Sequence, residues 1–287
     1  MNCTRVCLEI RLGHRKDFCL ELFGFVGNSR WGLIVVLPSP KQLTSHLNAM
    51  RSLAAVVALS LVDLAIAASR TSPPSGCLVV SKSPSGGQYA TVSAAVAALS
   101  SSSSTAPQCI FVYPGTYAEQ VLVPASLKTS QLSIYGSTTD TSSYAANTVT
   151  LTSSLAQAHG LSNDETATLR VKSPGFRLYN VNVNNGYGKG SQAVAVSAQA
   201  DSGYYGCAMT GFQDTLLANS GKQVFARCLI QGATDFVFGR RAAAWFESCD
   251  VRVVAASLGY VTGELPKLDA VTRYRERRVQ GGSWMWW

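Results

Sequence analysis

A chain of 287 residues that is 47% hydrophobic and only 14% charged can bury a sizeable core, which excludes wholesale disorder. Its 24 glycines, and its shortage of Glu, Lys and Leu at helical spacing, speak for a β-rich protein with many turns rather than a helical bundle. The net charge of +8 gathers at the two ends: residues 69–263 hold twelve basic and nine acidic side chains, with no basic stripe, so nucleic acid is excluded as a partner.

Residues 1–49 carry Cys3, Cys7, Cys19 and Trp31 but no periodicity from which to build a domain. At Met50 a compartment signal begins. Arg51 supplies a positive charge, residues 53–64 are apolar apart from Ser60 and Asp63, and Ala65-Ile66-Ala67 offers a small-x-small cleavage site. Residues 50–67 thus have the layout of a secretory signal peptide, too short to span a bilayer comfortably. A signal belongs at an N-terminus, so translation is expected to start at Met50, with residues 1–49 an extension of the gene model. The protein is expected to be secreted and extracellular, with no membrane partner.

Beyond the signal, residues 77–80 read as a first strand and residues 89–99, Ala-rich with helical spacing, as a helix. A serine run at 100–104 is a loop, and residues 109–113 form a strand stopped by Pro114-Gly115. Short strands follow at 132–135, 148–151, 169–171 and 176–183, separated by Gly, Ser, Asn or Thr.

The strongest pattern is a repeat. Cys207, Cys228 and Cys249 are 21 residues apart, as are Tyr204, Phe225 and Phe246, Gly211 and Gly232, and Asp214 and Asp235. Self-similarity at that period with short β-branched and aromatic strands points to a parallel β-helix whose successive coils stack equivalent residues. The three Cys then form one internal ladder, and the two Asp lie side by side. Five Cys follow Met50; a Cys77–Cys109 bridge, pairing within the ladder, or buried thiols acting as small hydrophobes all remain open.

No G-x-S-x-G occurs, His159 is the single His after Met50, and no Cys/His spacing suits a metal, so neither a Ser-His-Asp hydrolase nor a zinc site fits. What remains is a carboxylate pair flanked by amides. Asp214 and Asp235 a strand spacing apart cannot both ionise cheaply, so one pKa is expected to rise and the other to fall. Gln192 and Gln213 can aim NH₂ groups at a developing oxyanion.

These residues together resemble the pectin methylesterase family, whose Q-A-V-A-L, G-Y-Q-D-T-L and D-F-I-F-G signatures are matched by residues 192–196, 211–216 and 235–239. Residues 113–119 are similar to its V-x-P-G-x-Y-x-E element, and residues 187–192 and 244–246 to its fungal branch. The resemblance covers residues 75–262 and implies an all-β, right-handed parallel β-helix acting on methyl-esterified homogalacturonan, a polysaccharide. It implies Asp235 as nucleophile, Asp214 as general acid and then base, and Gln192 and Gln213 as oxyanion stabilisers. Tyr187 and Phe212 would line the sugar groove. No cofactor or metal is implied, and a monomer is expected.

The family continues with further coils and a G-R-P-W motif whose Arg holds the nucleophilic carboxylate. Residues 259–262 match the preceding G-Y-I-T, then residues 263–287 diverge and contain no G-R-P-W. The β-helix is therefore expected to be incomplete at its C-terminal end, through a shifted frame or an unspliced intron, and the chain as written to have little esterase activity. An inactive pectin-binding β-helix and a polygalacturonase or lyase are the alternatives; the residue 211–216 and 235–239 segments argue against the latter.

Overall fold

The computed structural model describes residues 68–254 and 259–263 and the backbone of three earlier strands, in two compact units, 1–64 and 65–287. In the first unit β1 (Cys3–Leu12), β2 (Arg15–Phe25) and β3 (Trp31–Ile34) form an antiparallel sheet in that order. Sequence reading finds no domain there. Yet Val6, Leu8, Ile10 and Leu12 alternate with Arg5, Cys7, Glu9 and Arg11, which is the period of a strand. The register pairs Val6 with Leu22, Leu8 with Leu20 and Ile10 with Phe18. The signal-peptide segment 50–67 and the divergent tail 264–287 lie outside the described residues.

The second unit is a right-handed parallel β-helix, as expected. It opens with β4 (Leu78–Val80) and helix α1 (Val92–Ser100). The first coil is β5 (Gln108–Val112), β6 (Gly115–Ala118) and β7 (Val121–Val123). The second is β8 (Leu132–Gly136), β9 (Val149–Ser153) and β10 (Leu169–Val171). The third is β11 (Phe176–Tyr179), β12 (Asn182–Asn185) and β13 (Val196–Ala198). The fourth is β14 (Ser202–Tyr205), β15 (Ala208–Thr210) and β16 (Leu216–Ala218). The fifth is β17 (Ser220–Ala226), β18 (Leu229–Gly232) and β19 (Val237–Phe238). A sixth begins with β20 (Arg241–Glu247) and β21 (Asp250–Val253). Each of the first five coils gives one strand to each of three parallel sheets, ordered β20-β17-β14-β11-β8-β5-β4, β21-β18-β15-β12-β9-β6 and β19-β16-β13-β10-β7.

Residues 176–183, expected as one strand, are two. Asn180 takes a left-handed φ of 53° and turns the chain from the first sheet to the second. Short polar side chains tolerate that conformation better than most. Gly206, Arg227 and Ser248 repeat the corner at φ 58°, 54° and 53°, each just before a ladder Cys. Inside the coils, the rings of Tyr204, Phe225 and Phe246 stack with centroids 4.8 Å apart at each step. Cys207, Cys228 and Cys249 are buried free thiols alongside them, while Cys77 and Cys109 form a disulfide, which settles the open cysteine question.

Helix α1 starts three residues later than the spacing predicts. The Thr91 side chain caps it by accepting from the Ala94 N–H, and the Glu119 carboxylate accepts from Val92 and Ser93. Its buried face of Val92, Ala95, Val96 and Leu99 joins the main core, so the N-terminal end of the solenoid is covered.

Candidate active site

The site lies on the turns that lead from the second sheet to the third. Backbone hydrogen bonds fix the stacking: Ala193 N–H donates to the Gln213 carbonyl at 3.1 Å, and Asp214 N–H to the Thr234 carbonyl at 3.1 Å. Ala193, Asp214 and Asp235 therefore occupy one column on successive coils, and Gln192, Gln213 and Thr234 the neighbouring column. Both acids have left-handed backbones, φ 64° at Asp214 and 47° at Asp235. Such conformations are costly for residues with a Cβ and persist where surrounding hydrogen bonds over-determine them. Here Thr215 Oγ1 donates to the Gln231 carbonyl and Leu216 N–H to the Phe236 carbonyl, locking each turn to the next.

Gln192, Gln213, Asp214 and Asp235 line one open cleft of about 1000 Å³. Among the described residues neither Gln side-chain amide is hydrogen-bonded, so both are free to donate into it. Tyr187 and Phe212 are not among the lining residues. Tyr187 packs edge-on against His159 with centroids 5.6 Å apart, and Phe212 is half-buried, its carbonyl accepting from Ala233 and Thr234.

The expected division of the two pKa values is not what the site produces. Burial, and then the Asp235 charge, push Asp214 up to about 6, against a hydrogen bond from Asn163 that lowers it. Burial also raises Asp235. Desolvation acts on both carboxyls in the same direction, and among the described residues no cation pairs with either to pull one down.

Several lining residues were not foreseen. Asn163, on the short helix α2 (Asn163–Thr166), donates Nδ2 to Asp214 Oδ2 at 3.3 Å. The capping box of Ser162 and Glu165 marks this helix in the sequence, but not its reach to another coil. Lys172, Arg240 and Arg241 bring three basic side chains to the lining of the cleft. The last two directly follow the 235–239 segment, which is the signal that would have found them. Asp164 holds Arg170 at 2.6 Å and Lys172 at 2.9 Å. Burial pushes its carboxyl up, but hydrogen bonds from Arg170, Lys172 and Ser197 outweigh that and leave it lowered. Among the described residues no three His, Cys, Asp or Glu side chains converge as metal ligands, and no helix is long and apolar enough to cross a membrane.

Two carboxyls one coil apart beside two amides one coil apart, lining one cleft on a right-handed parallel β-helix, place the chain among solenoid proteins with a polar, acid-bearing cleft. The sequence model of the pectinesterase family matches residues 77–260. A probable pectinesterase A of Aspergillus fumigatus is 50% identical over 194 residues, 67% of this chain and 56% of the relative. A pectinesterase of Aspergillus niger is 51% identical over 192 residues. The crystal structure of the pectin methylesterase from Aspergillus niger superposes with a TM-score of 0.62 at 45% identity, covering 68% of this chain and 62% of that one. The carrot pectin methylesterase does so with a TM-score of 0.56 at 31% identity, covering 63% and 54%. The chain belongs to the pectinesterase family. It spans 56% of the length of the Aspergillus fumigatus relative, so just over half.

Proposed function

We propose that this site hydrolyses the methyl esters of homogalacturonan, giving pectate and methanol. One observation carries the reading: Asp214, whose carboxyl burial pushes up to about 6, sits one coil from Asp235 in the same column, and both line one open cleft with Gln192 and Gln213. Asp235 attacks the ester carbonyl and forms an acyl-enzyme anhydride. Asp214 gives its proton to the departing methoxide, which leaves as methanol. Asp214 then takes a proton from water, whose oxygen attacks the anhydride and restores Asp235. The Gln192 and Gln213 amides would stabilise the oxyanion of each tetrahedral intermediate. The basic side chains of Lys172, Arg240 and Arg241 in the lining suit a polyuronate. Tyr187 and Phe212 remain the aromatic candidates for sugar contact. Secretion led by residues 50–67 belongs to the same reading.

A second reading, binding of pectin without turnover, is favoured by one feature: among the described residues Asp235 has no cation to keep it ionised. The two separate by assaying methanol from highly esterified pectin with the chain itself and with a chimera in which the Aspergillus niger relative's later coils follow Gly263. A folded chimera that releases no methanol would rule out the esterase reading of these residues.

A further inference from the structure

We infer that Asn163 is a positioning residue for the reaction, holding Asp214 by one carboxylate oxygen from two coils away. The role of Asp214 as acid and base rests on the function proposed above; the contact itself does not.

Asn163 belongs to the second coil, Asp214 to the fourth. The residue occupying Asp214's column on the coil between them is Ala193, whose side chain ends at Cβ. The Asn163 amide reaches across that coil to Asp214 Oδ2, and this is the one hydrogen bond to the Asp214 carboxylate among the described residues. The amide is itself oriented: Gln157 Nε2 donates to Asn163 Oδ1 at 2.7 Å, which commits the Asn163 NH₂ group to the Asp214 side. Gln157 is fixed in turn through its backbone N–H, which donates to the Gln192 carbonyl at 2.9 Å.

A helix of one turn has no stability of its own. Here α2 is pinned from several sides. Thr166 Oγ1 accepts from Val194 N–H at 3.1 Å, Asp164 Oδ1 accepts from Ser197 Oγ at 2.8 Å, and Gln120 Nε2 donates to the Glu165 carbonyl at 2.7 Å. None of these bonds involves the Asn163 side chain. Truncating that side chain should therefore leave α2 docked and remove the hold on Asp214 together with the Gln157 contact that orients it.

An amide donated to a carboxylate favours its ionised form, so losing the amide should raise the pH at which Asp214 titrates. The other charged groups lining the cleft with Asp214 are Asp235 on the next coil, Asp164 on α2, and Lys172, Arg240 and Arg241. All of them are unchanged in the variants proposed here.

The test is carbon-13 NMR titration of the full chain labelled with carboxyl-¹³C aspartate, with the Asp214 signal assigned by Asp214→Asn. In Asn163→Ala the Asp214 titration should move upward by about one pH unit, and in Gln157→Ala by less in the same direction. In the chimera, acting on methyl-esterified oligogalacturonide, the alkaline limb of kcat/KM should move up with it, whereas a merely structural role would lower activity without moving the limb. If the wild-type chain and the chimera are inert on pectin while the titration still moves, the function fails and the hold of Asn163 on Asp214 stands. If Asp214 titrates at the same or a lower pH in either folded variant, the inference is overturned whatever the activity.

Discussion

Asp214 and Asp235 hold the same left-handed backbone conformation one coil apart, φ 64° and 47°, at the head of parallel strands in direct register. Two non-glycine residues held this way and lining one cleft suit the paired roles proposed for them. In the chimera, Asp235→Ala should abolish methanol release; substantial turnover would remove Asp235 as the nucleophile.

The same arrangement should be visible in stability. Asp214 titrates at about 6 in the folded protein, against an ordinary value of 3.8. Its raised pKa means the folded state binds that proton more tightly than the unfolded chain does. The associated stability is complete below about pH 3.8 and is lost as pH rises through about 6. The loss is at most about 3 kcal/mol, and smaller once screening by cleft water is counted. Asp214→Asn, which keeps a residue tolerant of the left-handed backbone, should therefore be more stable than wild type at pH 7, with the gap closing by about pH 4. Urea unfolding at both pH values would measure it, and a gap independent of pH would contradict the assignment.

Gln192→Ala or Gln213→Ala in the chimera should each lower kcat by about 10²–10³, the usual effect of one oxyanion donor. A change confined to KM would mean that these amides bind sugar uniformly instead of stabilising the transition state.

The Cys77–Cys109 bridge ties β4 to β5 under the α1 cap and closes 32 residues. Replacing both with Ser should lower stability by about 3–4 kcal/mol through the entropy restored to the unfolded chain. The three ladder thiols should resist iodoacetamide in the native state and react after denaturation. Native alkylation of Cys228 would contradict its place in the core.

The later coils were legible because they are of equal length. Tyr204, Phe225 and Phe246 pair in register at a constant 21 residues, so equivalent residues recur visibly in the sequence. The earlier coils escaped this reading because Leu132 pairs with Phe176, and Phe176 with Ser202, at unequal separations. The acid and amide columns could be read for the same reason. The direction of the Asp235 pKa could not, because it depends on burial and on which cations stand nearby, neither of which spacing encodes. Asn163 was out of reach too: its partner lies 51 residues on, across an intervening coil.

That uneven spacing has a thermodynamic side. Leu132 and Phe176, 44 residues apart, are neighbours in the same sheet, while Ser202 and Gln223 achieve the same pairing over 21. Closure entropy grows only with the logarithm of loop length, so the longer excursion costs about 0.7 kcal/mol more. The extra chain includes the turn with Gln157 and the helix that presents Asn163, and its own hydrogen bonds to neighbouring coils offset so small a penalty. A solenoid can thus enlarge one crossover and gain a side chain for its cleft while the strand register on either side stays intact.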